Sequence, residues 1–509
     1  MPEIDNKKGD FRYPVKKDRV AEVANTLEWL ITALILAFVF RAFIMEAYRI
    51  PTGSMADTLM GEHFRMRCTQ CGYRYNYGSR NYRRPGRPNP RSGSPTELTR
   101  CPSCGYEQVA GGTMPVAKGD RILVLKCIYQ FLEPKQWDVI VFKNPGDPAE
   151  NYIKRLVGRP GETVEIIDGD IYIDGQISPK PPKVQKELWM SVYDNDYRPA
   201  RPTQGRFNGH PWQQPFRNLG DSNWSVDSDS PTKFRLDSPA GQLNTLIYDT
   251  SIGNDFRATY AYDDVRQHDN MPYCSDLKVR FYSTSGLEKG RVGATLTKYE
   301  NEYSAWVDFE GEMVIVAENV KETVELARRK ITPPAAGKPV SVKFANVDHR
   351  LIFEYGKEKL SWDLGRGTDD LGARMPGVPP VVKIFGAGDL TLSHVAVFRD
   401  IHYLATKFGG NSRTGRATEG RPFTLDKDEF FVLGDNSPSS EDGRWWGQKG
   451  KGNNGHFYRA GIVPRDYLVG KALFVYWPSG FRISEKLPLR IIPNIGQMRF
   501  IYSGSEREL

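Results

Sequence analysis

The stretch 29–40 carries no charge, and Glu28 and Arg41 mark its two ends. Extended to 24–44, the apolar segment reaches the roughly 20 residues a bilayer span requires, so one transmembrane helix is predicted at 23–45. A polar leader, 1–22, precedes it with Lys7, Lys8, Arg12, Lys16, Lys17 and Arg19. That basic bias places the leader in the cytoplasm and everything after residue 46 outside. A cleaved signal sequence is the competing reading. The long leader and the lack of a small-x-small site after the apolar run weigh against it. Beyond the helix the hydrophobic period becomes two. Short β-rich runs bounded by Gly, Pro and Asp fall at 122–125 and 139–142. The runs 164–167 and 171–173 flank Asp168-Gly169, a dipeptide that accepts positive φ, and predict a hairpin. From 188 to 415 many short alternating strands are separated by Asp, Gly, Asn and Pro. An apolar strand at 430–433 runs into a polar, glycine-bounded loop, and 463–478 reads as a closing strand.

Composition changes this picture little. The 509 residues suggest about three domains. The net charge of +8, from 70 basic against 62 acidic residues, argues only mildly for anionic lipid or another acidic partner.

Cysteine spacing adds more. Cys68-x-x-Cys71-Gly72 and Cys101-x-x-Cys104-Gly105 have the spacing of tetrahedral zinc knuckles, each glycine allowing the turn that aims backbone N–H groups at sulphur. Two disulfides are the alternative in an oxidising compartment; zinc is favoured because x-x spacing suits chelation. Cys127 and Cys274 read as lone thiols. Between the knuckles Tyr73, Arg74, Tyr75, Tyr77, Arg80, Tyr82, Arg83, Arg84, Arg87 and Arg91 interleave, a pattern that can bind nucleic acid. An extracytoplasmic position speaks against that, and no nucleic-acid partner is expected.

Candidate chemistry sits in three stretches. Arg49-Ile50-Pro51-Thr52-Gly53-Ser54-Met55 follows directly on the apolar segment; Tyr152-Ile153-Lys154-Arg155-Leu156 lies on a predicted strand; and Gly434-Asp435-Asn436-Ser437-Pro438-Ser439-Ser440-Glu441-Asp442-Gly443-Arg444 forms the polar loop. A serine hydroxyl needs a neighbouring base. A lysine among apolar residues can supply one if burial lowers its pKa by two or more units from ~10.4, at about 1.4 kcal/mol each. None of the seven histidines falls in these stretches, so a Ser-His-Asp triad has no support, whereas Ser-Lys pairs are an attested variant.

In this order the three stretches resemble type I signal peptidases, the membrane-bound serine proteases that remove signal peptides from exported proteins. The resemblance covers roughly 24–180 and 420–480. It implies Ser54 as nucleophile, Lys154 as general base, and Thr52 with the Ser54 N–H as the oxyanion hole. It also implies that Ser440 bonds the lysine, that Asp442 and Arg444 form an ion pair beside the site, and that Gly434, Asp435 and Asn436 shape the loop. Asp57 stands where the family usually has proline. No cofactor is implied for catalysis, structural zinc is expected at the four cysteines, and preproteins and membrane lipid are the expected partners. Small residues such as Ala are expected before the cut, with Ile50, Pro51, Met55, Leu123 and Ile153 as candidate pocket walls. Trp445, Trp446, Phe131 and Leu132 are candidates to dip into the bilayer.

The expected fold is mainly β. A signal-peptidase-like β catalytic core (46–66, 112–187 and 416–485) follows one N-terminal transmembrane helix. A zinc-ribbon insertion occupies 67–111, an all-β sandwich 188–415, and a tail 486–509. The sandwich strands faintly resemble laminin-G or concanavalin-like lectin folds, which opens a second reading: a catalytically inactive scaffold binding cell-envelope glycan.

Overall fold

The structure, a computed structural model, describes residues 19–79, 97–110, 114–226, 232–263, 270–286, 289–319, 322–333, 335–367, 374, 377–407, 413–452, 455, 457–480 and 494–504. The leader lysines Lys7 to Lys17, the arginines and Tyr82 of 80–91, and much of the expected tail lie outside the described residues.

Helix Arg19–Val39 continues through the wider turn Phe40–Ile44. Its 22–44 portion is long and apolar enough to cross a membrane and buries none of its surface in the rest of the molecule. Strand Met45–Arg49 begins at the next residue and pairs antiparallel with Arg121–Leu125, Met45 facing Leu125.

That pair opens an eight-stranded antiparallel sheet in the order Met45–Arg49, Arg121–Leu125, Leu468–Trp477, Val139–Asn144, Asp147–Gly158, Glu429–Leu433 and Val463–Pro464, with Arg499–Phe500 added on Leu468–Trp477. The continuous apolar run of Val139–Asn144 has a physical reason. Val139 and Val141 pack with Ile50, Met55, Ile122 and Val124 on one face. Ile140 and Phe142 pack with Leu156, Phe430 and Val432 on the other. Successive side chains point to opposite faces, so a strand covered on both sides must be apolar throughout. A smaller sheet holds the expected hairpin, Thr163–Ile167 with Asp170–Ile173. Asp168 and Gly169 both have positive φ, 47° and 86°, as a type I′ turn requires.

The sandwich consists of two seven-stranded antiparallel sheets, one from Met190–Asp194 through Leu390–Arg399 and Leu277–Ser285 to Glu358–Asp363, the other from Phe216–Leu219 to Thr323–Lys330. Alternate residues such as Leu277, Val279 and Phe281 of one sheet and Val292, Ala294 and Leu296 of the other form a single apolar core. The chain is therefore mainly β, as expected.

Where the sandwich meets the hairpin sheet, two buried lysines and four buried aspartates interlock. Lys180 pairs with Asp348 and, at 2.9 Å, with Asp400. Lys298 pairs with Asp276 at 2.5 Å and with Asp170 of the hairpin at 3.4 Å. Gln185 donates to Asp400 Oδ1 at 2.6 Å, and the Asp348 N–H donates to Asp276 Oδ2 at 2.8 Å.

Candidate active site

Ser54 lies in a tight turn that leaves the first strand. The Ile50 N–H donates to the Asp120 carbonyl at 2.8 Å and the Leu59 N–H to the Met55 carbonyl at 2.7 Å. The buried side chains of Ile50, Met55 and Leu59 pin the turn to the sheet. The Ala56–Asp57 peptide, at the position where proline was expected, is cis. From the opposite side the Asn436 N–H donates to the Ser54 carbonyl at 3.0 Å.

Lys154 stands on strand Asp147–Gly158, opposite Ile140, and is 4% exposed. Its Nζ lies 2.7 Å from Ser54 Oγ and 3.0 Å from the Ile153 carbonyl. Burial pushes its pKa down to about 8; Asp442 and Asp435 pull the other way and Arg444 adds to the depression. Both carboxylates are occupied elsewhere. Asp435 takes a two-pronged pair from Arg155, at 2.8 and 2.6 Å. Asp442 takes one from Arg444, at 2.8 and 2.7 Å, and accepts the Gly434 N–H at 3.0 Å. Burial works against the Asp442 carboxylate, but Arg444 and these bonds hold its pKa below the usual range. Fork-to-carboxylate pairing of this kind fixes direction as well as charge.

The remaining expected residues divide. Thr52 Oγ1 is 3.4 Å from Ser54 Oγ. Gly434 is crowded: a Cβ there would fall 2.2 Å from Ser440 Oγ and 2.5 Å from the Ser54 carbonyl oxygen, so only glycine fits. No hydrogen bond joins Ser440 to Lys154; Ser440 Oγ is buried and bears on the Asp442 carboxylate. Of the candidate pocket walls, Ile50 and Met55 are core side chains, Ile153 is nearly so, Leu123 is half-buried and Pro51 is exposed. Trp445 is 5% exposed and cannot dip into a bilayer, Trp446 is half-buried against Phe142, and Phe131 and Leu132 are 78% and 57% exposed.

Sequence reasoning missed several neighbours of the site. Arg155, which could pass for a solvated strand end, is wholly buried; the signal was two cations side by side inside an apolar strand. Ser437 accepts from Arg444 Nη1 at 2.7 Å and from the Leu404 N–H at 2.8 Å. Tyr260, Tyr262 and Asp263 reach the site from the sandwich insertion, and nothing in their local sequence announces it. A cleft of about 360 Å³ opens beside the turn, walled by Asp57 and Met60, by Tyr75 and Arg100, and by Trp189 and Phe398.

Residues 107–217 and 399–477 match the family model described as signal peptidase, peptidase S26. These two stretches are similar to the signal peptidase S26 family. The first holds Lys154 and Arg155 and the second the loop from Gly434 to Arg444, while Ser54 and Thr52 lie outside both. The gap, 218–398, falls within the sandwich strands. Signal peptidase I of Rickettsia canadensis is 30% identical over 149 residues, 29% of this chain and 42% of the relative. Signal peptidase I of Rickettsia bellii is 27% identical over 172 residues, 33% of this chain and 46% of the relative. The chain thus spans about two fifths of the length of the curated signal peptidases it matches. A solved Bacillus subtilis protein of unknown function with a galectin-like fold aligns over 42% of this chain and 98% of its own, at 8% identity and a TM-score of 0.27.

Away from the signal peptidase residues, the four cysteines converge. Their sulphurs lie within 4.8 Å of one another, with Cys68 to Cys104 and Cys71 to Cys101 both at 3.6 Å, and no disulfide joins them. Four thiolates around one ion with Zn–S of about 2.3 Å would place sulphurs about 3.8 Å apart. Gly72 and Gly105 have φ of 80° and 76°, and the Cys71 and Tyr73 N–H groups point at the Cys68 and Cys71 sulphurs, each at 3.5 Å. The donor set fits a tetrahedral thiolate metal site.

Proposed function

We propose that the chain is a membrane-anchored serine endopeptidase that removes N-terminal signal peptides from exported preproteins. The observation that carries this reading is the buried 2.7 Å contact between Lys154 Nζ and Ser54 Oγ. Neutral Lys154 takes the Ser54 proton, and Ser54 Oγ attacks the scissile carbonyl. The oxyanion is held by the Ser54 N–H and the Thr52 hydroxyl. Lys154 returns the proton to the leaving amine, then activates the water that releases the acyl group. With a pKa of about 8, about a tenth of the lysine is neutral at pH 7, against less than a thousandth for a free side chain.

Asp435 with Arg155 and Asp442 with Arg444 hold the loop that faces Ser54, and Gly434, Asn436 and Ser440 let it approach. Cys68, Cys71, Cys101 and Cys104 hold a structural zinc ion, which supplies folding energy to the ribbon and no catalytic chemistry. The helix crosses the membrane once with its leader in the cytoplasm, and the ribbon and sandwich are inserted into the extracytoplasmic catalytic core. Preprotein cleavage in detergent or liposomes tests the reading, comparing wild type with Ser54→Ala and Lys154→Ala. Both variants are expected to be inactive while remaining folded; processing that survives both would overturn it.

A further inference from the structure

The segment between sandwich strands Asn244–Tyr248 and Leu277–Ser285 leaves the sandwich and packs against the nucleophile turn. Tyr260 and Tyr262 are both buried there with Ala56, and Met60 and Met190 close the contact. Arg399, at the end of the last sandwich strand, bonds the Thr259 carbonyl and stacks over the Tyr260 ring at 5.3 Å, tying the segment back to its own sheet.

Tyr262 is held in a slot between two glycines. A Cβ on Gly53, the residue before Ser54, would fall 2.1 Å from the ring's Cε1; one on Gly78, at the end of ribbon strand Arg74–Gly78, would fall 2.5 Å from the same atom. Real Cβ contacts are never so close, so each glycine exists there to admit the ring. Gly53 has no positive φ that would otherwise call for glycine. The ring is fixed at both ends. Its hydroxyl donates to the Glu62 carbonyl at 2.9 Å, and its backbone carbonyl accepts the Gly78 N–H at 2.9 Å. Two residues either side complete the grip. The Tyr260 hydroxyl donates to the Asp435 carbonyl at 3.0 Å, and Asn436, whose N–H holds the Ser54 carbonyl, donates from Nδ2 to Asp263 Oδ1 at 3.1 Å.

We infer that Tyr262 is a positioning residue for Ser54, so that the sandwich insertion is a working part of the active site and not a pendant module. This rests on the Ser54–Lys154 reading above. A nucleophile displaced by about an ångström loses orders of magnitude in rate without losing substrate affinity. The ring filling the glycine slot bears directly on the residue before Ser54.

The test is a double-mutant cycle on the full-length chain in detergent, with a preprotein substrate and separate kcat and KM. Gly53→Ala and Tyr262→Ala are each expected to lower kcat at least tenfold with KM within twofold. The double variant, in which the vacated slot accepts the added methyl, is expected to recover at least threefold over Gly53→Ala. Tyr262→Phe, which keeps the ring, is expected to stay within threefold of wild type. If Tyr262→Ala does not fold, Tyr262→Leu takes its place in the cycle. A kcat within twofold of wild type for Gly53→Ala, or a double variant whose loss is the product of the single losses, would overturn the inference. Ser54→Ala and Lys154→Ala, run alongside, separate the two claims. If both are inactive while the slot variants behave as wild type, only the positioning role fails; if either is active, the catalytic reading fails first.

Discussion

Two regions of this molecule bury lysines equally well and do opposite things with them. Among the described residues Lys154 hydrogen-bonds a hydroxyl and a carbonyl and no carboxylate, and Asp435 and Asp442 are each held by their own arginine. Burial therefore wins, and its pKa falls to about 8. For Lys180 and Lys298 burial also favours the neutral amine, but Asp348 and Asp400, and Asp276 and Asp170, outweigh it and hold each lysine charged well above its usual range. A buried lysine thus becomes a base or a bolt according to which carboxylates remain unclaimed around it. Arg155 and Arg444 occupy the two aspartates that pull the Lys154 pKa upward, and Arg444 also depresses it directly.

The sharpest way to break the contrast is to remove the base. Lys154→Ala is expected to lower kcat/KM on the order of 10³-fold or more. Lys154→Arg should be as inactive, since a guanidinium cannot be neutral at any working pH. Steady-state cleavage of a preprotein measures both. Breaking the bolt comes next. Lys298→Met leaves Asp170 and Asp276 buried without their cation and is expected to cost about 3–5 kcal/mol, read by denaturant unfolding. The midpoint of the pH–rate profile should not move in that variant.

Converting base towards bolt is a smaller change. Thr52→Asp sets a carboxylate near Ser54 Oγ, where Thr52 Oγ1 is now 3.4 Å away. Its charge favours the protonated amine, so the midpoint of the residual pH–rate profile should rise by about a unit, on top of the rate lost with the Thr52 hydroxyl. In the mechanism proposed above the active form of the wild type is the neutral amine, present above the folded pKa. Activity should therefore rise with pH through about 8 and drop about tenfold per unit below it. A profile falling through that window would contradict the assignment. The mildest intervention lies furthest from the lysines: one zinc per chain is expected by metal analysis, and a chelator should lower the thermal midpoint without shifting the pH midpoint.

How much of this the sequence carried depended on whether the information was local. The span at 23–45, the Asp168-Gly169 hairpin and the cysteine knuckles all rest on short-range patterns, and each has its counterpart in the structure. Lys154 could be suspected from its apolar neighbours, but the burial that lowers its pKa comes from tertiary packing, as does the pairing of Arg155 with Asp435, 280 positions away. Ser440 illustrates the opposite error: a bond expected from resemblance to relatives is absent here, although the residue sits beside Ser54. Trp445 and Trp446 are candidates to dip into the bilayer by sequence, yet tertiary packing buries Trp445 and half-buries Trp446. The Tyr262 slot was illegible, because a glycine before a serine and a tyrosine in a loop 209 residues later carry no local sign of meeting.

The first strand of the catalytic sheet begins where the helix stops, with Ile44 the last helical residue and Met45 already paired with Leu125. No slack joins the anchor to the blade. With the helix in a bilayer, Ser54 is carried at a set height and tilt, at most roughly 35 Å of chain from Ile44. On the function proposed above, the chain works as a ruler. It then measures how far a cleavable bond stands from the hydrophobic segment that holds the substrate in the same membrane, and a flexible insert after Met45 would blur its scale before it dulled its edge.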